Sequence, residues 1–201
     1  MSKENYGEWS KEELLREVKK LKGSKTYGLV WEDKPELVAE LCKEKLPILV
    51  EDKSKEITTN KEKSINLLIE GDNYHALSTL NYTHKGKVDV IYIDPPYNTG
   101  NKDFVYNDNF VDPEDPYRHS KWISFMEKRL RLANNLLKNS GVVFISIDDN
   151  ELYQLKLLCN SVFGDKNFVA NLVVQLNPRG RTLDKHFAKT HEYILVYAKR
   201  F

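Results

Sequence analysis

The apolar run VDVIYI, residues 88–93, breaks off into Asp94-Pro95-Pro96-Tyr97, and this junction constrains the chain more than any other stretch. Five of these six residues are apolar, four of them β-branched, and with the single acid Asp89 they read as a strand. Two consecutive prolines cannot prolong it, because each has a fixed φ and no N–H to donate to a ladder. The strand must end at Ile93. Beyond it stands a stiff turn that offers acceptors only, a carboxylate and proline carbonyls, beside the flat ring of Tyr97. A plain turn needs neither the charge nor the rigidity. The set suits a planar amine whose N–H groups are bound while its ring stacks on the tyrosine.

From Ser64 onward, strand-like and helical patterns alternate. INLLIE (65–70) is predicted as a strand, and Gly71-Asp72-Asn73 stops it and caps a helix through Ala76, Leu77 and Leu80. Trp122, Met126, Leu130, Ala133 and Leu137 mark another helix, with Trp122 and Met126 in the core and a stop at Asn139-Ser140-Gly141. VVFISI (142–147) reads as a strand, followed by a helix that Asp148, Asp149 or Asn150 caps and Gly164 ends. FVANLVVQL (168–176) and EYILVYA (192–198) form a last pair, antiparallel because no helical pattern separates them. Such alternation predicts an α/β fold with a largely parallel sheet. Ligands of such sheets sit beyond the carboxyl ends of the strands, which is where Asp94 falls, on a central strand.

Residues 98–119 break the rhythm. They are rich in Asn, Asp, Gly and Pro and carry Phe104, Tyr106, Phe110 and Tyr117. A loop of about twenty residues is uncommon in a compact domain and is usually functional or disordered. The aromatics favour a lid over the site against a loose insertion.

Residues 1–58 read as a mainly helical extension with a linker, and residues 59–201 as the domain proper. Ser10 and Glu13 make a capping box ahead of Leu14, Leu15, Val18 and Leu21. A short helix starts near Pro35 and runs through Leu37, Val38 and Leu41. The lysine- and glutamate-rich stretch from Glu51 to Lys63 reads as solvated linker.

Composition mainly excludes. No apolar run approaches a membrane span, and the start has no signal-peptide core. Cys42 and Cys159 are too few and too far apart for a disulfide framework or a zinc site, and fit reduced thiols in the cytoplasm. HEYIL (191–195) lacks the second histidine of a zinc-protease motif, so no metal site is expected. Lys plus Arg, 31, nearly cancels Asp plus Glu, 30, so any phosphate-binding surface must be local. Arg179, Arg181, Lys185 and Lys189 around Gly180 read as a solvated loop first and a grip on DNA phosphates second.

The junction and its neighbours resemble amino-group DNA methyltransferases, whose signature (D/N/S)PPY ends a strand. LLIEGDNYHAL, VDVIYIDPPYNTGNKDFVYND, SKWISFMEKRL, GVVFISIDDNE and KTHEYILVYAK are similar to the modification subunits of Type III restriction–modification systems, with a weaker echo in YGLVWEDKPE (27–36). The resemblance implies a Rossmann-like S-adenosylmethionine-dependent fold, present here only in part, and adenine as the base, since SPPY is commoner among cytosine enzymes. It implies that Asp94 and the Pro95 carbonyl, on a turn stiffened by Pro96, accept the amino hydrogens of a flipped adenine stacked on Tyr97. Asp72 reads equally as a helix cap or a cofactor contact. The implied partners are double-stranded DNA, a second copy of the modification subunit and a restriction subunit. The family's glycine-rich cofactor loop is absent from this sequence. In the permuted order of this group it comes after the recognition region, so the resemblance implies the first part of a longer protein, inactive alone. A non-catalytic assembly fragment and a cytosine or RNA methyltransferase stand as alternatives.

Overall fold

A computed structural model describes residues 9–23, 30–57, 65–176, 178 and 187–200. In chain order the helices are α1 (Lys11–Gly23), α2 (Leu37–Glu44), α3 (Asn73–Thr83), α4 (Arg118–Leu136) and α5 (Leu152–Phe163). The strands are β1 (Val88–Ile93), β2 (Val105–Tyr106), β3 (Asn109–Phe110), β4 (Leu137–Ile147), β5 (Phe168–Gln175) and β6 (His191–Ala198). Four strands form one sheet in the order β1-β4-β6-β5. Only β1 and β4 run parallel, while β6 pairs antiparallel with both β4 and β5. The fold is α/β, with less parallel pairing than the sequence predicts. The last pair is antiparallel as expected, but β6 inserts between β4 and β5 and carries the sheet away from a purely parallel order. Among the described residues no helix is long and apolar enough to cross a membrane.

Alternation along the strands assigns their faces. Ile91 and Ile93 stand opposite Val143 and Ile145, which stand opposite Tyr197 and Leu195. These residues build the core together with Trp122, Met126 and Leu130 of α4 and Leu155, Leu158 and Cys159 of α5. The α4 residues recur at three- and four-residue spacing, which sets one helix face onto the sheet. α5 ends at Gly164, whose φ of 94° suits a glycine after a helix.

Four predicted features fall differently. INLLIE is not a strand: Ile65, Leu67 and Leu68 are exposed, and among the described residues no neighbour completes a ladder beside it. β1 is the edge strand rather than a central one. Leu137 opens β4 instead of closing α4, and the register jumps from Val88–Leu137 to Val90–Val142, so Asn139-Ser140-Gly141 forms an irregularity within a strand. Asp148 and Asp149 do not cap α5. Asp148 closes a local turn through the Asn150 N–H at 2.9 Å, and Asp149 pairs with Lys189 at 3.2 Å.

The segment predicted as a lid holds a short hairpin, β2 with β3, between stretches of irregular backbone. Asn107 and Asp108 both have positive φ, 49° and 63°, the geometry of a two-residue type I′ turn. Phe104 and Tyr106 turn into the core, and Phe104 meets Phe125 at 5.3 Å between ring centroids. Gly100 is required where it stands: a Cβ there would lie 2.7 Å from Cβ of Pro113. The hairpin also clamps residues 30–37. Tyr106 donates to the Lys34 carbonyl at 2.7 Å, and Asn107 Oδ1 accepts from the Leu37 N–H at 2.8 Å. Beneath this strap, buried Glu36 takes both ends of the Arg129 guanidinium at 2.7 and 3.0 Å. The capping box at Ser10 forms as expected, with Glu13 Oε2 accepting from the Ser10 N–H at 2.8 Å.

Candidate active site

β1 delivers Asp94 to the carboxyl end of the sheet, on the face opposite the core. Tyr92 faces Phe144, and two positions on, Asp94 falls beside Ser146 of β4. The Ser146 hydroxyl donates to Asp94 Oδ1 at 2.7 Å and also reaches the Ile93 carbonyl at 3.3 Å. Ser146 is buried and Asp94 is exposed, so one carboxylate oxygen is pinned from beneath. The other accepts no hydrogen bond among the described residues. Indole Nε1 of Trp122 donates to the Pro96 carbonyl at 2.7 Å. Buried Pro95 keeps its carbonyl without a hydrogen bond among the described residues.

Tyr97 donates its hydroxyl to Glu192 Oε2 at 3.0 Å, which ties the ring that follows β1 to β6, on the far side of β4. Burial, and then the Glu192 carboxylate, push the phenol up to about 12. It remains a donor throughout the neutral range. Asp94, Tyr97, Ser146 and Glu192 line a cleft of about 210 Å³ with Tyr92, Val174 and Ile194. That is below the roughly 300 Å³ at which small-molecule sites ordinarily begin. The cleft offers a flat aromatic wall and carboxylate acceptors, the chemistry that holds an amino group on a ring.

Asp72 caps α3, accepting at Oδ1 from the Tyr74 and His75 N–H groups at 2.8 and 3.3 Å. Its Oδ2 lies 3.9 Å from Arg129. It is not among the residues that line the Asp94 cleft. Arg179, Arg181 and Lys185 lie outside the described residues, and Lys189 is engaged with Asp149. Three groups at the site escape a reading of the sequence. Ser146 and Glu192 sit mid-pattern in strands, and only the pairing of β4 and β6 reveals what they face. Trp122 reads as core and is core, but its N–H also holds the turn.

A strand end that presents a pinned carboxylate, a proline turn and an aromatic ring is the chemistry of a site for an amino group on a ring. The model of the DNA methylase family matches residues 88–200, more than half of the chain, and the chain belongs to that family. It is 41% identical to the Type III restriction-modification enzyme EcoPI Mod subunit of Escherichia phage P1, over 93% of this chain and 32% of that protein. The EcoP15I Mod subunit of Escherichia coli is 36% identical over the same shares, 93% and 32%. The Type II methyltransferase M.KpnI of Klebsiella pneumoniae is 44% identical over 64% of this chain and 31% of that protein. The chain spans about a third of the length of these relatives.

Proposed function

We propose that this chain is the amino-group-binding portion of a site-specific DNA adenine methyltransferase, the modification subunit of a Type III restriction–modification system. The observation that carries the chemistry is the Ser146–Asp94 contact at 2.7 Å, at the end of a strand and beside Tyr97. The assignment to Type III rests on coverage. The EcoPI and EcoP15I Mod subunits each match 93% of the chain and the StyLTI and HindVI Mod subunits 76% and 67%, whereas M.KpnI matches 64%.

In this reading the target base leaves the duplex, because its amino group is out of reach within the stack. Asp94 Oδ2 and the Pro95 carbonyl accept the two amino hydrogens and turn the nitrogen lone pair away from the ring. Ser146 holds the carboxylate in that orientation, and Trp122 holds the turn through the Pro96 carbonyl. This is positioning and electrostatic stabilisation, with no covalent intermediate on the protein. Tyr97, pinned by Glu192, stacks on the base, worth about 1–3 kcal/mol. S-adenosylmethionine, when bound, supplies the electrophilic methyl group. On that side this chain offers Asp72, whose Oδ2 is not used by the helix cap and lies 3.9 Å from Arg129; the remaining cofactor contacts are assigned to the longer protein.

Arg179, Arg181 and Lys185 are proposed to meet DNA phosphates. The full protein is proposed to act in the cytoplasm on double-stranded DNA, as a homodimer joined by a restriction subunit. Residues 1–58 form its extension and 59–201 part of its catalytic domain. Residues 1–201 alone are proposed to bind no S-adenosylmethionine at micromolar concentration, which isothermal titration tests. The decisive experiment is transfer of labelled methyl groups to duplex DNA by the full-length protein, with the modified base identified by mass spectrometry. N6-methyladenine is the expected product. N4-methylcytosine overturns the adenine assignment, and no transfer overturns the reading.

A further inference from the structure

Directly after the DPPY turn, Asn98 is buried and left-handed, with a φ of 57°. Asparagine tolerates that backbone better than most residues, but something must hold it there. Its side-chain amide donates at 2.5 Å to Oε1 of Glu151, a carboxyl group with no solvent exposure at the start of α5. The same oxygen meets Nδ1 of His119, in the first turn of α4, at 2.7 Å. Arg118 donates to Nε2 of that ring at 3.2 Å. An Nε2 that accepts leaves the proton on Nδ1, so the imidazole is neutral and donates to Glu151. Oε1 therefore receives two donors. Oε2 is buried with no partner, and so is Oε1 of Gln154, one helical turn further along α5.

A proton on Oε2 would remove the first of these unmet acceptors, and Gln154 also places its amide 3.4 Å from the same His119 Nδ1. We infer that Glu151 is a positioning residue that works as a neutral acid: its Oε1 anchors Asn98 and so the DPPY turn, while a proton on Oε2 serves the Gln154 carbonyl, directly or through a water. This inference rests on the methyltransferase reading of Asp94. The charges around the group agree with it. Burial, opposed by Asn98 and Arg118 and reinforced by Asp148, raises Glu151 to about 8. Burial and the Arg118 charge lower His119, which argues against an imidazolium–carboxylate pair.

The raised value sets the direction of the pH dependence. Glu151 is neutral in the folded protein up to about 8 but ionised in the unfolded chain above its ordinary value of 4.5, so it weakens folding progressively between those two pH values. Above about 8 the carboxylate still accepts from Asn98, but its buried charge now faces the Gln154 carbonyl at the start of α5 with no donor between them.

The test uses the full-length protein as wild type, Glu151→Gln and Glu151→Leu, with methyl-transfer kinetics and thermal melting from pH 6 to 9.5. Glutamine keeps the acceptor for Asn98 and places an N–H donor where the proton sits. Wild type is expected to lose kcat with an apparent pKa near 8 and to lower its Tm as the pH rises from 6 to about 8, with little further fall above it, whereas Glu151→Gln stays flat in both. Glu151→Leu is expected to drop kcat at least tenfold, with KM for DNA changed less than threefold. A Glu151→Gln profile that falls like wild type overturns the inference, as does wild-type kcat in Glu151→Leu. If the wild-type protein transfers no methyl groups, the methyltransferase reading fails, while the melting curves still decide whether Glu151 carries a proton.

Discussion

The two faces of the β1–β4–β6–β5 sheet are written by the same strands and have opposite characters. One face carries Ile91, Ile93, Val143, Ile145, Leu195 and Tyr197 beneath α4 and α5, with Val143 and Ile145 fully buried. The other carries Val90 at 58% exposure, Tyr92 at 62%, and the polar set Asp94, Ser146 and Glu192. Alternation in a strand forces this division: a residue that points into the core makes its neighbour point away. Stability and chemistry are therefore separable here by residue parity. The core face holds β1 and β4 in register, and that register alone brings Ser146 to Asp94.

Changes that test this division range from several kcal/mol to almost nothing. Arg129→Ala should have the largest effect on folding, about 3–5 kcal/mol, because it strands the buried Glu36 carboxylate under the strap. Chemical denaturation measures it, and a loss below about 1 kcal/mol would mean that residues 30–37 are not part of the folded unit. On the core face, Ile145→Ala should cost about 2–5 kcal/mol by the same measurement. On the site face, Tyr97→Ala in the full-length protein should remove about 1–3 kcal/mol of transition-state stabilisation through lost stacking. Tyr97→Phe, which keeps the ring, should lose much less in kcat/KM; equal losses would assign the role to the hydroxyl and Glu192 instead. Smallest of all, Val90→Lys in residues 1–201 should shift stability within about 0.5 kcal/mol, since the residue faces solvent on an edge strand. A penalty as large as that of Ile145→Ala would dissolve the contrast between the faces.

Much of this is legible in the sequence for physical reasons. The prolines after Ile93 have to end a strand, and the spacing from Trp122 to Ala133 has to bury a helix face. The quartet Asp94-Pro95-Pro96-Tyr97 is readable because its chemistry is contiguous. Its supports are not, since Ser146 and Glu192 lie 52 and 95 residues from the groups they hold. The hairpin at 105–110 has a local signal, Asn107-Asp108 after the β-prone pair Val105-Tyr106, that the surrounding polar residues obscure. INLLIE misleads because its composition is that of a strand, whereas strand formation depends on a neighbour that composition does not report. Asp72 reads two ways, and the structure displays the cap.

The claim at the centre is that Asp94 serves chemistry and not folding. The measurement is methyl transfer to duplex DNA by the full-length protein carrying Asp94→Ala, with its melting temperature recorded beside wild type. The account predicts transfer reduced to background with a Tm within a few degrees, because an exposed carboxylate on the site face contributes little to stability. Wild-type transfer in the variant, or loss of transfer only because the protein has unfolded, would contradict it.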